Sequence, residues 1–125
     1  MNQLIRSIIA VGAVAIATPG FAQTAADALP GAKLYQSKCT TCHSLDANRI
    51  GPAHRGVFGR PAGKAPGYSY SAALKSSGIV WNATTLDQWL QGPQRMVKGT
   101  KMFLVVPSAT DRAAIIAYLK ATSNK

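Results

Sequence analysis

Cys39 and Cys42 are the only cysteines of the chain, and His43 follows them directly in the run Cys-Thr-Thr-Cys-His. Thiols at this spacing lie on one face of a helix, so both can reach the two vinyl groups on one edge of a porphyrin. The imidazole of His43 sits one helical turn after Cys39, so it projects over the same face and can bind the iron. Two thioether bonds and one axial bond then fix a large ring from one short peptide. C-x-x-C-H reads as attachment of a single haem c through Cys39 and Cys42. Other chemistries use parts of the pattern. A Cys-x-x-Cys pair can exchange disulfides, but normally in a βαβ setting, which this sequence lacks. Structural zinc usually takes four ligands. Cys39, Cys42, His43 and His54 would have to serve, and two of them are neighbours. A plain disulfide suits an exported chain but leaves His43 unexplained.

Haem iron has a second axial position. The residues leave open His54, Met96, Met102 or a lysine. His54 lies close after His43, too close for the chain to cross the ring's rim easily, and it reads as a surface or rim histidine. Met96 is able by chemistry, but a Met near a Trp is more often core than ligand. Met102 follows the turn-like Lys98-Gly99-Thr100-Lys101, which could present a thioether at a defined place.

The elements that must position these groups are mainly helical. A helix is predicted from about Gly31 to Thr41, with Leu34 and Tyr35 on its apolar side. Ser44 to Tyr70 is rich in Gly and Pro and shows no helical or strand period. So long a stretch needs something to organise it, and a buried cofactor would do so. Ser71 to Ser77 suits a short helix stopped by Gly78. Thr84 with Asp87 three residues on predicts a capped helix to Gln91, ended by Gly92-Pro93. Ser108 with Asp111 repeats the device for a last helix, with Ile115, Ile116, Tyr118 and Leu119 on its buried side. Phe103 to Val106 is the best strand signal, and it is short.

Residues 1–22 read as a secretory signal peptide: Arg6, then an apolar run from Ser7 to Ala17, then Gly20-Phe21-Ala22 as a cleavage site. The run is too short for the roughly 20 apolar residues of a spanning helix. Export places the mature chain in the periplasm. Residues 23–30 form a flexible lead, 31–122 a single domain and 123–125 a tail. Lys and Arg total 14 against 4 acidic residues, all Asp, for a formal charge of +10. No block of like charges appears, which argues against a nucleic-acid arm.

The blocks CTTCHS, GPAHRGVFGRPAGKAPGYSYS, GIVW, TLDQWLQGPQRMVKGTKMF and DRAAIIAYLK, in this order, resemble the class I c-type cytochromes, the mitochondrial type and its bacterial periplasmic relatives. The resemblance spans about residues 31–122. It implies a mainly α, single-domain cytochrome c fold, with helices and long loops wrapped around one covalent haem and the first and last helices crossing. It puts Gly31, Tyr35 and Tyr118 at that crossing. It makes Met102 the second axial ligand beside Thr100, and it gives Pro52 the carbonyl that accepts the ring N–H of His43. It places Arg60, Tyr70 and Trp81 on a haem propionate. Some residues depart from the pattern. Trp89 replaces a tyrosine that bonds the axial sulfur, and the indole N–H could make that bond instead. Leu74 replaces a polar residue, Leu104 an aromatic one and Lys98 a proline, and the loop after His43 is shorter.

The implied function is that of a soluble single-haem electron carrier between respiratory or dehydrogenase partners. Its iron is held by His and Met, so it activates no substrate and is not an enzyme. Lys33, Lys38, Arg95 and Lys101, joined by Arg49, correspond to a basic ring around the haem edge. That ring suits acidic docking surfaces on an oxidase, a quinol-oxidising complex or a periplasmic dehydrogenase, met by a monomer.

Overall fold

The computed structural model describes residues 30–124. The signal-peptide and flexible-lead assignments fall almost wholly outside this range. Five helices order the described chain: α1 (30–38), α2 (Ala72–Lys75), α3 (Ala83–Gln91), α4 (Pro93–Met96) and α5 (Ala109–Ser123). No strand occurs among the described residues, only an isolated antiparallel bridge between Pro61 and Val80. Phe103 to Val106 is extended but unpaired as a strand, which corrects the sequence expectation. Its one ladder-like bond is Val106 N–H to the Leu90 carbonyl at 2.8 Å.

α1 and α5 meet at near-backbone contact. A Cβ on Gly31 would lie 2.0 Å from the Ala114 carbonyl oxygen and 2.8 Å from Tyr118 Cβ. Only glycine permits that approach. Beside it the rings of Tyr35 and Tyr118 pack with centroids 5.1 Å apart. Ile115, Ile116 and Leu119 of α5 join Leu86, Trp89 and Leu90 of α3 in the core. Removing such side chains from water at about 25 cal/mol per Å² is the main stabilising force.

The caps explain where the helices begin. Ser71 Oγ accepts from Leu74 N–H, and Ser108 Oγ accepts from Asp111 N–H, the latter as the sequence suggested. α3 differs. Its N-cap is Asn82, whose side chain accepts from Thr85 N–H, while the Thr85 hydroxyl accepts from Asn82 N–H. Thr84 is therefore inside the helix. Gly78 follows α2 with φ +69°, a left-handed conformation that a side chain disfavours.

Asp87, freed from capping, pairs with Arg112 of α5. The Arg112 Nε–H donates to its carboxylate at 2.7 Å, and the guanidinium also donates to the Val106 and Pro107 carbonyls. Arg112 is buried and Asp87 is half-exposed. The Arg112 hydrogen bond holds the Asp87 carboxyl below its ordinary range, with Gln91 assisting. A depressed folded value means stability that is present above the unfolded Asp value of about 4 and lost as pH falls through the folded value. Asp87→Asn should cost on the order of 1–2 kcal/mol at pH 7, the low end for a charged hydrogen bond because the site is half-wet. The gap from wild type should close below about pH 4. Urea unfolding at pH 7 and pH 3 reads both; a pH-independent gap would contradict the assignment.

The Gly- and Pro-rich middle is held by side chains reaching across it. Arg55 pairs with Asp46, Asn48 donates to the Pro66 carbonyl, and the Tyr68 hydroxyl donates to the Ile50 carbonyl. Phe58 N–H donates to Ser123 Oγ, tying the loop to the end of α5.

Candidate functional site

Beyond α1 the chain continues through one further helical turn. Cys39 N–H donates to the Tyr35 carbonyl and His43 N–H to the Cys39 carbonyl, both at 2.8 Å. This turn sets both cysteines and His43 on one wall of a cavity of about 520 Å³. The cavity lies within the usual range for small-molecule and cofactor sites. Trp81, Leu86, Trp89, Leu90, Ile115 and Leu119 make its apolar lining, and Met102 stands on the wall with Thr100 and Lys101. The two cysteines are not joined to each other by a disulfide. Burial raises the Cys39 thiol to about 11, with Lys38 opposing and Cys42 adding to the rise.

His43 is buried, and its Nδ1–H donates to the Pro52 carbonyl at 2.8 Å. Burial lowers its proton affinity, and the Pro52 bond partly offsets that. The proton thus belongs on Nδ1, and Nε2 keeps its lone pair. The backbone closes tightly on this ring: a Cβ on Gly51 would lie 2.2 Å from His43 Cε1.

Across the cavity the indole N–H of Trp89 donates to Met102 Sδ at 3.2 Å. The loop bearing Met102 is strapped by Gln94. Its amide donates to the Thr100 and Met102 carbonyls, and its Oε1 accepts from Gly99 N–H. Sequence reasoning missed Gln94. The only available signal was a polar residue in the first turn of α4, just before a turn. Met96 packs against the core and is not among the cavity's lining residues.

Arg60, Tyr70 and Trp81 all line the cavity. The Arg60 guanidinium donates to the Ala53 and Arg55 carbonyls, while its buried Nε–H has no partner among the described residues. The Tyr70 hydroxyl accepts from Ala65 N–H, which leaves its own proton free to donate. An orphaned buried guanidinium donor and a free phenol, inside an apolar cavity with two thiols, fit an apolar ring with acidic arms.

His54, expected at the surface or the rim, is half-buried and lines the cavity beside His43. Its ring stacks on His43 with centroids 3.9 Å apart, and its Nδ1 hydrogen-bonds the Tyr35 hydroxyl at 3.0 Å. Burial holds its proton affinity well below the ordinary value, and the nearby charges of His43 and Arg60 add to the effect. Among the described residues no group of three or more His, Cys, Asp or Glu side chains is placed to share a metal ion.

The basic residues divide. Lys38 and Lys101 lie at the cavity mouth with exposed Ile50, Phe103 and Leu104. The Lys101 ammonium donates to the Ser69 carbonyl and stands 5.8 Å from the Tyr68 ring centre. Lys33 and Arg95 are exposed but do not line the mouth, and the Arg49 guanidinium donates to the Thr40 carbonyl. Among the described residues no helix is long and apolar enough to cross a membrane.

The family model described as Cytochrome c matches residues 28–123. A cytochrome c of Gibberella zeae is 44% identical over 98 residues, covering 75% of this chain and 92% of the relative. Cytochrome c of Euglena viridis is 45% identical over 97 residues, covering 75% and 95%. Among solved structures, cytochrome cH from Methylobacterium extorquens is similar with TM-score 0.73 and 43% identity, covering 76% of this chain and 98% of that one.

Proposed function

The chain belongs to the cytochrome c family and carries single electrons on one haem c attached through Cys39 and Cys42, and from that premise we propose that His43 and Met102 are its axial ligands and that it works outside the cytoplasmic membrane. One observation carries the ligand assignment: two cysteine sulfurs, an imidazole with its proton committed to Pro52, and a thioether sulfur all border one apolar cavity. When bound, the haem supplies reversible one-electron chemistry at iron.

The protein's part is to hold and tune. The Pro52 carbonyl fixes the His43 tautomer and strengthens Nε2 as a donor. The Trp89 N–H would draw electron density from the Met102 sulfur, which would weaken it as a donor to ferric iron and favour the reduced state. Gln94 keeps the Met102 loop from swinging out. Arg60, Tyr70 and Trp81 would offer N–H and O–H donors to the propionates. With His43 and Met102 both committed to the haem, the protein would leave no open place on it for a substrate, which supports reading the chain as a carrier rather than an enzyme. The pattern of residues 1–22 supports export to the periplasm.

The mouth supports docking of an acidic redox partner. Lys38 and Lys101 flank an apolar rim, the mix expected of a weak electron-transfer contact. Charge steering acts over about 10 Å at 0.1 M salt and roughly 3 Å at 1 M. The second-order electron-transfer rate with an acidic partner should therefore fall steeply as salt rises. Lys38→Glu should slow it at low salt while leaving the optical spectrum unchanged. Lys120→Glu, on α5 against Phe58 and away from the mouth, should matter less. A flat salt profile with the two reversals alike would assign the charge to solubility alone. A rate that rises with salt would overturn the docking reading.

A further inference from the structure

Nothing in haem attachment gives His54 a task, yet its ring lies flat against His43, with planes within 20° and centroids 3.9 Å apart. The other restraints on His43 act on its edges. Nδ1–H is tied to the Pro52 carbonyl at 2.8 Å, and the Gly51 backbone crowds Cε1. A ring held at one edge can still rock about the hydrogen bond. A flat neighbour in contact with its face opposes that rocking. His54 is itself clamped, by the Tyr35 hydroxyl on Nδ1 at 3.0 Å and by the edge of the Tyr35 ring, whose centre is 5.6 Å away at 61°. Tyr35 is buried on α1 where that helix crosses α5. A rigid line therefore runs from the helix crossing to the imidazole. An aliphatic side chain could fill the same volume but has no plane to enforce.

We propose that His54 is a positioning residue that sets the plane of the His43 imidazole, and so the electronic asymmetry of the haem. The proposal rests on His43 being an axial ligand. An imidazole donates through a π orbital perpendicular to its plane. Its orientation selects the iron d orbital that carries the unpaired electron of the ferric state, and with it the spin on each haem methyl. Groups that orient a ligand tune the metal in this way.

The test is proton NMR of the ferric holoproteins, after mass spectrometry has shown covalent haem in each. His54→Leu should keep the haem but change the spread and order of the methyl shifts. His54→Phe, which restores a flat ring, should keep the wild-type order. A Leu variant with the wild-type pattern would overturn the proposal and leave the Pro52 bond as the sole orienting contact. A Phe variant that behaves as Leu does would also overturn it. If the Leu variant yields no holoprotein, Tyr35→Phe decides: releasing His54 should redistribute the shifts, and an unchanged pattern would overturn the proposal. Failure of the underlying reading shows differently. A wild-type protein without covalent haem, or without the shifts of a bound axial histidine, would remove the ligand assignment itself.

Discussion

Replacing Cys39 and Cys42 together with serine should yield a chain from which acid–acetone removes every trace of haem. A hydroxyl does not add to a vinyl group as a thiol does, so neither thioether forms. Wild type should keep its haem through the same extraction, with a mass one haem above the polypeptide. Either single variant retains one thiol and should mature in lower yield. The consequence for the fold is as large as that for the cofactor. The ring's place is a cavity of about 520 Å³ walled by Trp81, Trp89, Leu86 and Leu90. Empty apolar volume costs about 24 cal/mol per Å³, so leaving this cavity unfilled would cost on the order of 10 kcal/mol. That is an upper figure, because walls relax and water enters an open cleft. It still matches the whole stability of a small domain, about 5–15 kcal/mol. The double variant should therefore lose most of its helical far-UV signal. Haem that survives extraction in the double variant would sink the attachment claim. Native helicity without haem would show that the cavity is not the centre of the fold's stability.

The parts of this site that were legible in the sequence are those written by local spacing. Cys39, Cys42 and His43 are one turn of chain, and the turn observed is a continuation of α1. Ser108 caps α5 because a hydroxyl three residues ahead of a free N–H needs nothing from the rest of the molecule. α3 shows the limit of such reading. Thr84 with Asp87 and Asn82 with Thr85 are both plausible caps. The tertiary structure chose the second, because Asp87 faces Arg112 on α5 and the Thr85 hydroxyl also donates to the Val80 carbonyl. Phe103 to Val106 has strand composition but no partner strand among the described residues, and its first two residues, Phe103 and Leu104, border the cavity instead. Gln94 and His54 were beyond reach for the same reason. Their roles lie in contacts with Gly99, Thr100 and Met102, and with Tyr35 and His43, that local pattern does not encode.

Met102→Leu should abolish the long-wavelength absorption that marks sulfur on ferric haem iron, and should lower the reduction potential. Met96→Leu should do neither. The structure separates the two methionines. Met102 borders the cavity, takes the Trp89 N–H on its sulfur and sits on a loop that Gln94 fastens at three backbone atoms. Met96 ends α4 and packs against the core. Leucine is close to methionine in volume, so either exchange should cost less than about 1.5 kcal/mol in packing. The spectral change then reports ligation rather than unfolding. Axial ligands span about 0.8 V of haem potential, and loss of a thioether should move it down by on the order of 0.1 V or more. At 59 mV per tenfold change for one electron, that shift alters the electron-exchange equilibrium with any partner by about fifty-fold or more. A carrier so shifted should still take part in slow exchange with a low-potential reductant but should fail with its normal donor. The opposite pattern, with the band lost in Met96→Leu and kept in Met102→Leu, would reverse the ligand assignment. It would also leave the Trp89 hydrogen bond to Met102 as a packing contact without a redox role.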